Sequence, residues 1–118
     1  MPIHSFRELI VWQKAHALAL GLYDITKDFP RSEIFGLSLQ MRRAVVSVSS
    51  NVAEGFKRQS KKDARHFYNI AEGSLEELRA QCIFARDLGY ITSERYGEIE
   101  SLADEVARLL DGWKRSQK

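Results

Sequence analysis

Four runs of apolar residues stepping by threes and fours, separated by three short breaks, constrain this chain more than any other feature. Side chains at that spacing share one face of an α-helix, and such a face has to be buried against a neighbour. The first run, Val11, Ala15, Leu18, Leu22, Ile25 and Phe29, predicts a helix over 6–28. Ser5 and Glu8 form a capping box before it, and Pro30 closes it by disfavouring helical geometry in the residue ahead. The second run, Leu37, Met41, Ala44, Val48 and Val52, predicts a helix over 33–56, with Ser32 as cap and Gly55 as stop. Val45, Val46 and Val48 favour strands, but the periodicity around them is helical.

The third helix, 61–88, opens on Ser60 with Asp63 and ends at Gly89. Its stripe is Ala64, Phe67, Ala71, Ser74, Leu78, Cys82 and Ala85. The fourth, 93–115, is capped by Thr92 or Ser93 and carries Tyr96, Ile99, Ala103, Val106, Leu110 and Trp113. Helices of similar length joined by tight connections run antiparallel to their neighbours. The expected fold is all-α: an antiparallel up-down-up-down four-helix bundle, one domain over 1–118.

A length of 118 residues suffices for one real core. Net charge is only +2, so no global field demands nucleic acid, and binding of that kind would need a local cluster. Cys82 is the only cysteine, which excludes an internal disulfide and a thiolate zinc cage and suits a reducing compartment. The first residues lack the charged start, apolar run and cleavage site of a signal peptide, and no apolar stretch is long enough to span a bilayer. The expected location is cytoplasmic, with no membrane partner.

Up-down topology brings the N-terminus, the link between helices two and three, and the C-terminus to one end. That end collects Lys57, Arg58, Lys61, Lys62 and Arg65, with Lys114, Arg115 and Lys118 from the C-terminus. The other end mixes Asp28, Glu33, Asp87, Glu94, Glu98 and Glu100 with Lys27, Arg31, Arg86 and Arg95. The basic end is either a phosphate-contacting surface or a solvated turn that keeps the molecule soluble. Phe56 and His66 flank it, and either both stack on bases or Phe56 is the last core residue of its helix.

Helix one also carries Leu9, Trp12, Ala19, Leu20 and Tyr23 on a neighbouring face. That is more apolar width than one stripe uses, which points to self-association rather than to a broad helix buried inside a monomer. A polar stripe on helix two, Gln40, Arg43, Ser47, Asn51 and Glu54, faces Glu77 on helix three in one of two ways. Arg43 pairs with Glu77 or Glu54 in a register-fixing network, or the stripe is a solvated face.

Paired Glu-x-x-His motifs for a di-iron site are absent, and His4, His16 and His66 are far apart in the sequence. Cys82 falls in a core stripe, where a thiol is inert. There is no glycine-rich phosphate loop. The residues therefore offer no catalytic site, metal site or cofactor, and the chain is read as a non-enzyme.

The blocks QMRRAVVSVSSNVAEG in helix two and FYNIAEGSLEEL in helix three, with LIVWQKAHALALGLYDITKDFP before them, resemble the 23S rRNA intervening-sequence protein family. Relatives of that family include the accessory variability proteins of diversity-generating retroelements. The resemblance spans nearly the whole chain. It implies an antiparallel bundle assembling into a homopentameric ring and working beside RNA or a ribonucleoprotein. Gln40, Arg43, Asn51, Glu54, Gly55, Ser74 and Glu77 fall on its motif positions, with no catalytic role attached. Two functions follow as expectations. One is a homo-oligomeric RNA-binding protein using Arg42, Lys57, Arg58, Lys61, Lys62, Arg65 and His66. The other is a protein-interaction adaptor with no nucleic-acid binding.

Overall fold

The computed structural model describes residues 2–117, and Lys118 of the basic end lies outside them. Four helices account for most of the chain: α1 (Ile10–Thr26), α2 (Leu37–Lys57), α3 (Lys61–Asp87) and α4 (Ser93–Arg115). Each packs on the next and α4 returns to α1, while the backbones of the diagonal pairs stay apart. α2 and α3 share the most extensive interface.

Cross-helix contacts fix the directions. Arg42 reaches Thr26, and Ser47 bonds Ser74 while Tyr68 packs on Gly55. Arg79 meets Glu100 and Lys114 meets Glu72; Arg95 meets Asp24 and Lys14 meets Glu105. In every interface, moving up one helix means moving down its neighbour. The bundle is antiparallel, up-down-up-down, and measures 44 × 25 × 19 Å.

The helix starts differ from the sequence expectation where burial overrides capping. The Ser5–Glu8 box forms, with Glu8 Oε2 accepting from Ser5 N at 2.8 Å, but it closes only a 3-10 turn, Phe6–Glu8. Leu9 then leaves helical geometry at φ −75°, ψ 125°. The break has a packing reason: in a continuous helix Leu9 and Val11 would lie about 200° apart, whereas here both are buried. α2 likewise starts at Leu37 rather than Glu33, after a 3-10 turn over Arg31–Glu33. Ser32 does not cap it; the Glu33 carboxylate accepts from Leu37 N instead, at 3.0 Å. A side chain on the N-cap Gly36 would stand 2.8 Å from that carboxylate.

Gly55 does not stop α2, which runs on to Lys57. The ring of Tyr68 occupies the space a side chain at 55 would need. Ser60 caps α3 as expected, accepting from Asp63 N, and Gly89 ends the turn after it at φ 81°. The buried stripe of α3 is rotated from the expected one: Tyr68 and Leu75 go inside, while Phe67 and Ser74 are half-buried. Thr92 caps α4 by accepting from Arg95 N.

The core falls into two clusters. The larger gathers Leu18, Leu22, Met41, Val45, Leu78 and Val106 from all four helices. The smaller, towards the basic end, holds Leu9, Val11, Val52, Tyr68 and Leu110, flanked by Phe6, Phe56 and Trp113. Each fully buried leucine or valine of this set is worth about 1.5–3 kcal/mol.

Candidate nucleic-acid interface

The three segments predicted to share one end do so. The Arg65 guanidinium donates to the Gln117 carbonyl, tying the start of α3 to the C-terminal turn. Lys114 on α4 reaches Glu72 Oε1 at 2.7 Å and Asn69 Oδ1 at 3.1 Å on α3. The N-terminal residues His4, Ser5 and Phe6 lie along the end of α2, enclosing a cleft of about 410 Å³ with Ala53, Phe56 and Lys57.

Charge at this end is less free than its cation count suggests. Arg58 Nη2 donates to Glu54 Oε1 at 2.7 Å, and its guanidinium covers the Phe67 ring at 4.4 Å. Arg65 and Lys114 are held within the bundle, and Arg115 pairs with Asp111. Lys57 and Lys62 are exposed and form no ion pair among the described residues. Lys61 is exposed as well, and His66 is exposed with only an edge contact to Phe67.

Arg42 does not belong to this group. It lies in the first half of α2, where Nε donates to Thr26 Oγ1 at 2.8 Å and the guanidinium covers Tyr23 at 4.4 Å. At 1.5 Å per residue it is about 24 Å along the helix from Arg58.

The register-fixing network also fails to form within the chain. Arg43 and Gln40 are exposed, Glu77 is exposed and accepts from Gln81, and Glu54 belongs to Arg58. A smaller polar contact takes its place between α2 and α3. Ser47 Oγ and Ser74 Oγ are 2.7 Å apart, and Asn51 Nδ2 donates to Ser47 Oγ and to its carbonyl. Short hydroxyls fit an interface this close where Arg and Glu would not.

The proposed association face of helix one is largely internal. Leu9 and Ala19 are core residues, since α1 lies between α2 and α4 and buries a broad stripe against both. Trp12 packs at the edge of the smaller cluster and stacks on His16. Only Leu20 and Tyr23 stay exposed, and Tyr23 lies under Arg42. Ile10 on α1 and Ile3 before it are exposed as well, and further exposed apolar residues sit elsewhere. Val46 lies on α2 and Ile70, Ile83 and Phe84 on α3; Ile34, Phe35 and Leu88 lie at the end opposite the lysines.

Titration behaviour follows burial. Burial pushes the Cys82 thiol up to about 12, with the charge of Glu100 adding to it. The bond to Lys27 holds Asp24 below the usual carboxylate range and raises Lys27 in turn. The hydrogen bond to Glu33 raises the Tyr90 phenol. Burial raises Tyr68 too, opposed by the nearby Trp113 indole, whose buried N–H makes no hydrogen bond of good geometry. Among the described residues no three His, Cys, Asp or Glu side chains gather where a metal ion could be held. No helix among them is long and apolar enough to cross a membrane.

The model of one family, described as the 23S rRNA-intervening sequence protein, matches residues 7–112. This chain belongs to the 23S rRNA-intervening sequence protein family. The match takes in all of α1, α2 and α3, most of α4, and the lysine-rich turn between α2 and α3. The fold is similar to a crystal structure of a protein of unknown function from the S23 ribosomal protein family of Bacteroides thetaiotaomicron VPI-5482. The TM-score is 0.83 at 25% identity, covering 89% of this chain and 98% of that one. No curated protein matches the sequence. The family assignment thus carries the bundle, and the character of the basic end rests on the side chains described above.

Proposed function

We propose that this member of the 23S rRNA-intervening sequence protein family is a non-enzymatic, homo-oligomeric RNA-binding protein of the cytoplasm, gripping RNA at its basic end. The observation that carries the reading is a set of exposed cationic side chains, Lys57, Lys61 and Lys62, at the junction of three chain segments. Beside them the cleft between Phe6 and Phe56 opens next to Lys57. Lysines neutralise phosphates without sequence preference, and aromatic walls accept a base by stacking. The family's name sets its members in an RNA context. Cys82, buried and held protonated, suits a binding protein better than a thiol enzyme.

Self-association in this reading uses the outer face of α2 and α3, where Val46, Ile70, Ile83 and Phe84 are exposed beside Arg43 and Glu77. Copies meeting there bury apolar surface and offer Arg43 a carboxylate it lacks within its own chain. A homopentameric ring has a solution mass five times that of one chain. Val46→Glu with Phe84→Glu returns it to the mass of a single chain.

The RNA reading is tested by titrating structured RNA against wild type and a Lys57→Glu, Lys61→Glu, Lys62→Glu variant over a range of salt. Wild-type affinity falls with salt, and the variant binds at least roughly tenfold more weakly with a shallower salt slope. RNA left unbound at low salt, or bound equally by both proteins, overturns it.

One observation favours a second reading, as a protein-interaction adaptor. Phe35 is 90% exposed, with Ile34 and Leu88 also exposed, far from the lysines. A protein partner docked there is lost on Phe35→Asp and kept in the triple lysine variant.

A further inference from the structure

The end of the bundle away from the lysines is mixed to acidic in sequence, yet it holds a cavity whose charged lining residues are all cations. The cavity, of about 260 Å³, lies where the turn after α1 meets the start of α2. Lys27, Arg31 and Arg42 border it, with the Thr26 and Ser38 hydroxyl residues; Phe29 and Leu39 give it an apolar wall. Three positive charges in one small cavity stand out in a chain whose net charge is +2.

The cations differ in how far they are committed. Arg42 is fixed by Thr26 Oγ1 and the Tyr23 carbonyl through Nε and Nη2, which leaves Nη1 without a hydrogen bond among the described residues. Arg31 is exposed and forms no ion pair among them. Lys27 is ion-paired with Asp24 at 2.8 Å, so Arg31 and Arg42 are the cations left to the cavity. The carboxylates nearby are engaged. Asp24 and Asp28 take Arg95, and Glu33 caps Leu37 N and accepts from Tyr90.

The start of α2 adds neutral donors. The first N–H groups of a helix have no partner inside it. Glu33 satisfies that of Leu37, and those of Ser38 and Leu39 remain. Ser38 is only 7% exposed and lines the cavity, and its hydroxyl makes no hydrogen bond among the described residues. An unpartnered hydroxyl and two guanidinium side chains bordering one small cavity suit a tetrahedral dianion. The volume is below that of drug-sized sites, which restricts the occupant to a compact group.

We propose that the cavity formed by Arg31, Arg42 and Ser38 at the start of α2 binds a phosphate monoester. The phosphoryl oxygens face the guanidinium groups and Ser38, and the organic part lies along Phe29 and Leu39. The site is independent of the lysine-rich end. The monoester is either a small molecule or the terminal phosphate of an oligonucleotide.

Phosphorus NMR titrations with inorganic phosphate, adenosine 5′-monophosphate, and an oligoribonucleotide with or without a 5′-phosphate test this. Saturable broadening is expected for at least one phosphomonoester probe. Arg42→Gln and, separately, Arg31→Gln weaken it roughly tenfold or more, whereas Lys57→Gln with Lys62→Gln leaves it unchanged. Arg31 is exposed, so its variant keeps the test sound even if Arg42→Gln unfolds. Tighter binding of the 5′-phosphorylated oligonucleotide than of the 5′-hydroxyl form marks an RNA end as the source; binding of adenosine 5′-monophosphate with no such preference marks a small molecule. Lack of saturation by any of the phosphates, survival of binding in Arg31→Gln, or its loss in the lysine variant overturns the proposal.

Discussion

The ring of Tyr68 rests so close on Gly55 that a Cβ added there would stand 2.5 Å from Cε1 and 3.0 Å from Cδ1. This contact brings α2 and α3 together just before the lysine-rich turn and explains a glycine inside a helix. Alanine is favoured over glycine in a helix interior by about 1 kcal/mol. Here overpacking opposes that gain, at about 1–3 kcal/mol.

Overpacking prevails, because Tyr68 is 1% exposed and its ring meets Trp113 on the far side. Gly55→Ala should destabilise the protein by up to about 2 kcal/mol in urea unfolding. In a Tyr68→Leu background the same substitution should be neutral or stabilising. A higher urea midpoint for Gly55→Ala alone would show that the ring does not hold this position.

Cys82 gives a prediction about pH. Burial raises its thiol from the ordinary range to about 12, so the folded protein holds the proton after the unfolded chain has released it. Above the ordinary thiol pKa the unfolded state binds fewer protons, and folding stability falls as pH rises towards 12. The contribution is on the order of 1 kcal/mol per pH unit across that window. Cys82→Ala should flatten this part of the profile. At pH 8 a thiol reagent should label Cys82 only as fast as the bundle opens; labelling at the rate of a free thiol in native conditions would contradict the burial.

How much of this was legible in the sequence depended on the scale of the feature. Periodicity gave four helices, and short breaks gave their directions, because both follow from local geometry. Ser60, Thr92 and Gly89 worked as terminators since their function is local. Ser5 and Gly55 acted differently: burial of Leu9 broke the helix that Ser5 opens, and Tyr68, thirteen residues on, claimed the space at Gly55. The lysines at the α2–α3 turn were visible in sequence and converge with both chain ends as topology requires. Their ion pairs were not visible, since Arg58 and Arg65 find partners through helix phase and cross-bundle register. The cavity near Arg42 was hidden for the same reason, its cations lying on two turns and one helix.

Register also separates two ion pairs that look alike in sequence. Arg79 Nη2 meets Glu100 Oε1 at 2.6 Å across α3 and α4, with side chains 25% and 30% exposed, and Nη1 reaches Glu76 at 3.3 Å. Lys14 and Glu105 bridge α1 and α4 at 3.6 Å with 43% and 40% exposure. A hydrogen bond to a charged group contributes about 1.5–3 kcal/mol when sheltered, and an exposed pair about 0.2–1 kcal/mol. The Arg79–Glu100 pair is partly sheltered and falls between these ranges, so double-mutant cycles should give about 1–1.5 kcal/mol for it, and under about 0.5 kcal/mol for Lys14 with Glu105. In 1 M salt the Lys14 coupling should vanish while most of the Arg79 coupling persists, because screening acts chiefly on exposed charges. The Arg79 guanidinium is held more firmly protonated by Glu100, so its charge is fixed throughout the measurement. Equal couplings for the two pairs, or equal salt sensitivity, would mean that the partial burial of Arg79 does not govern its strength.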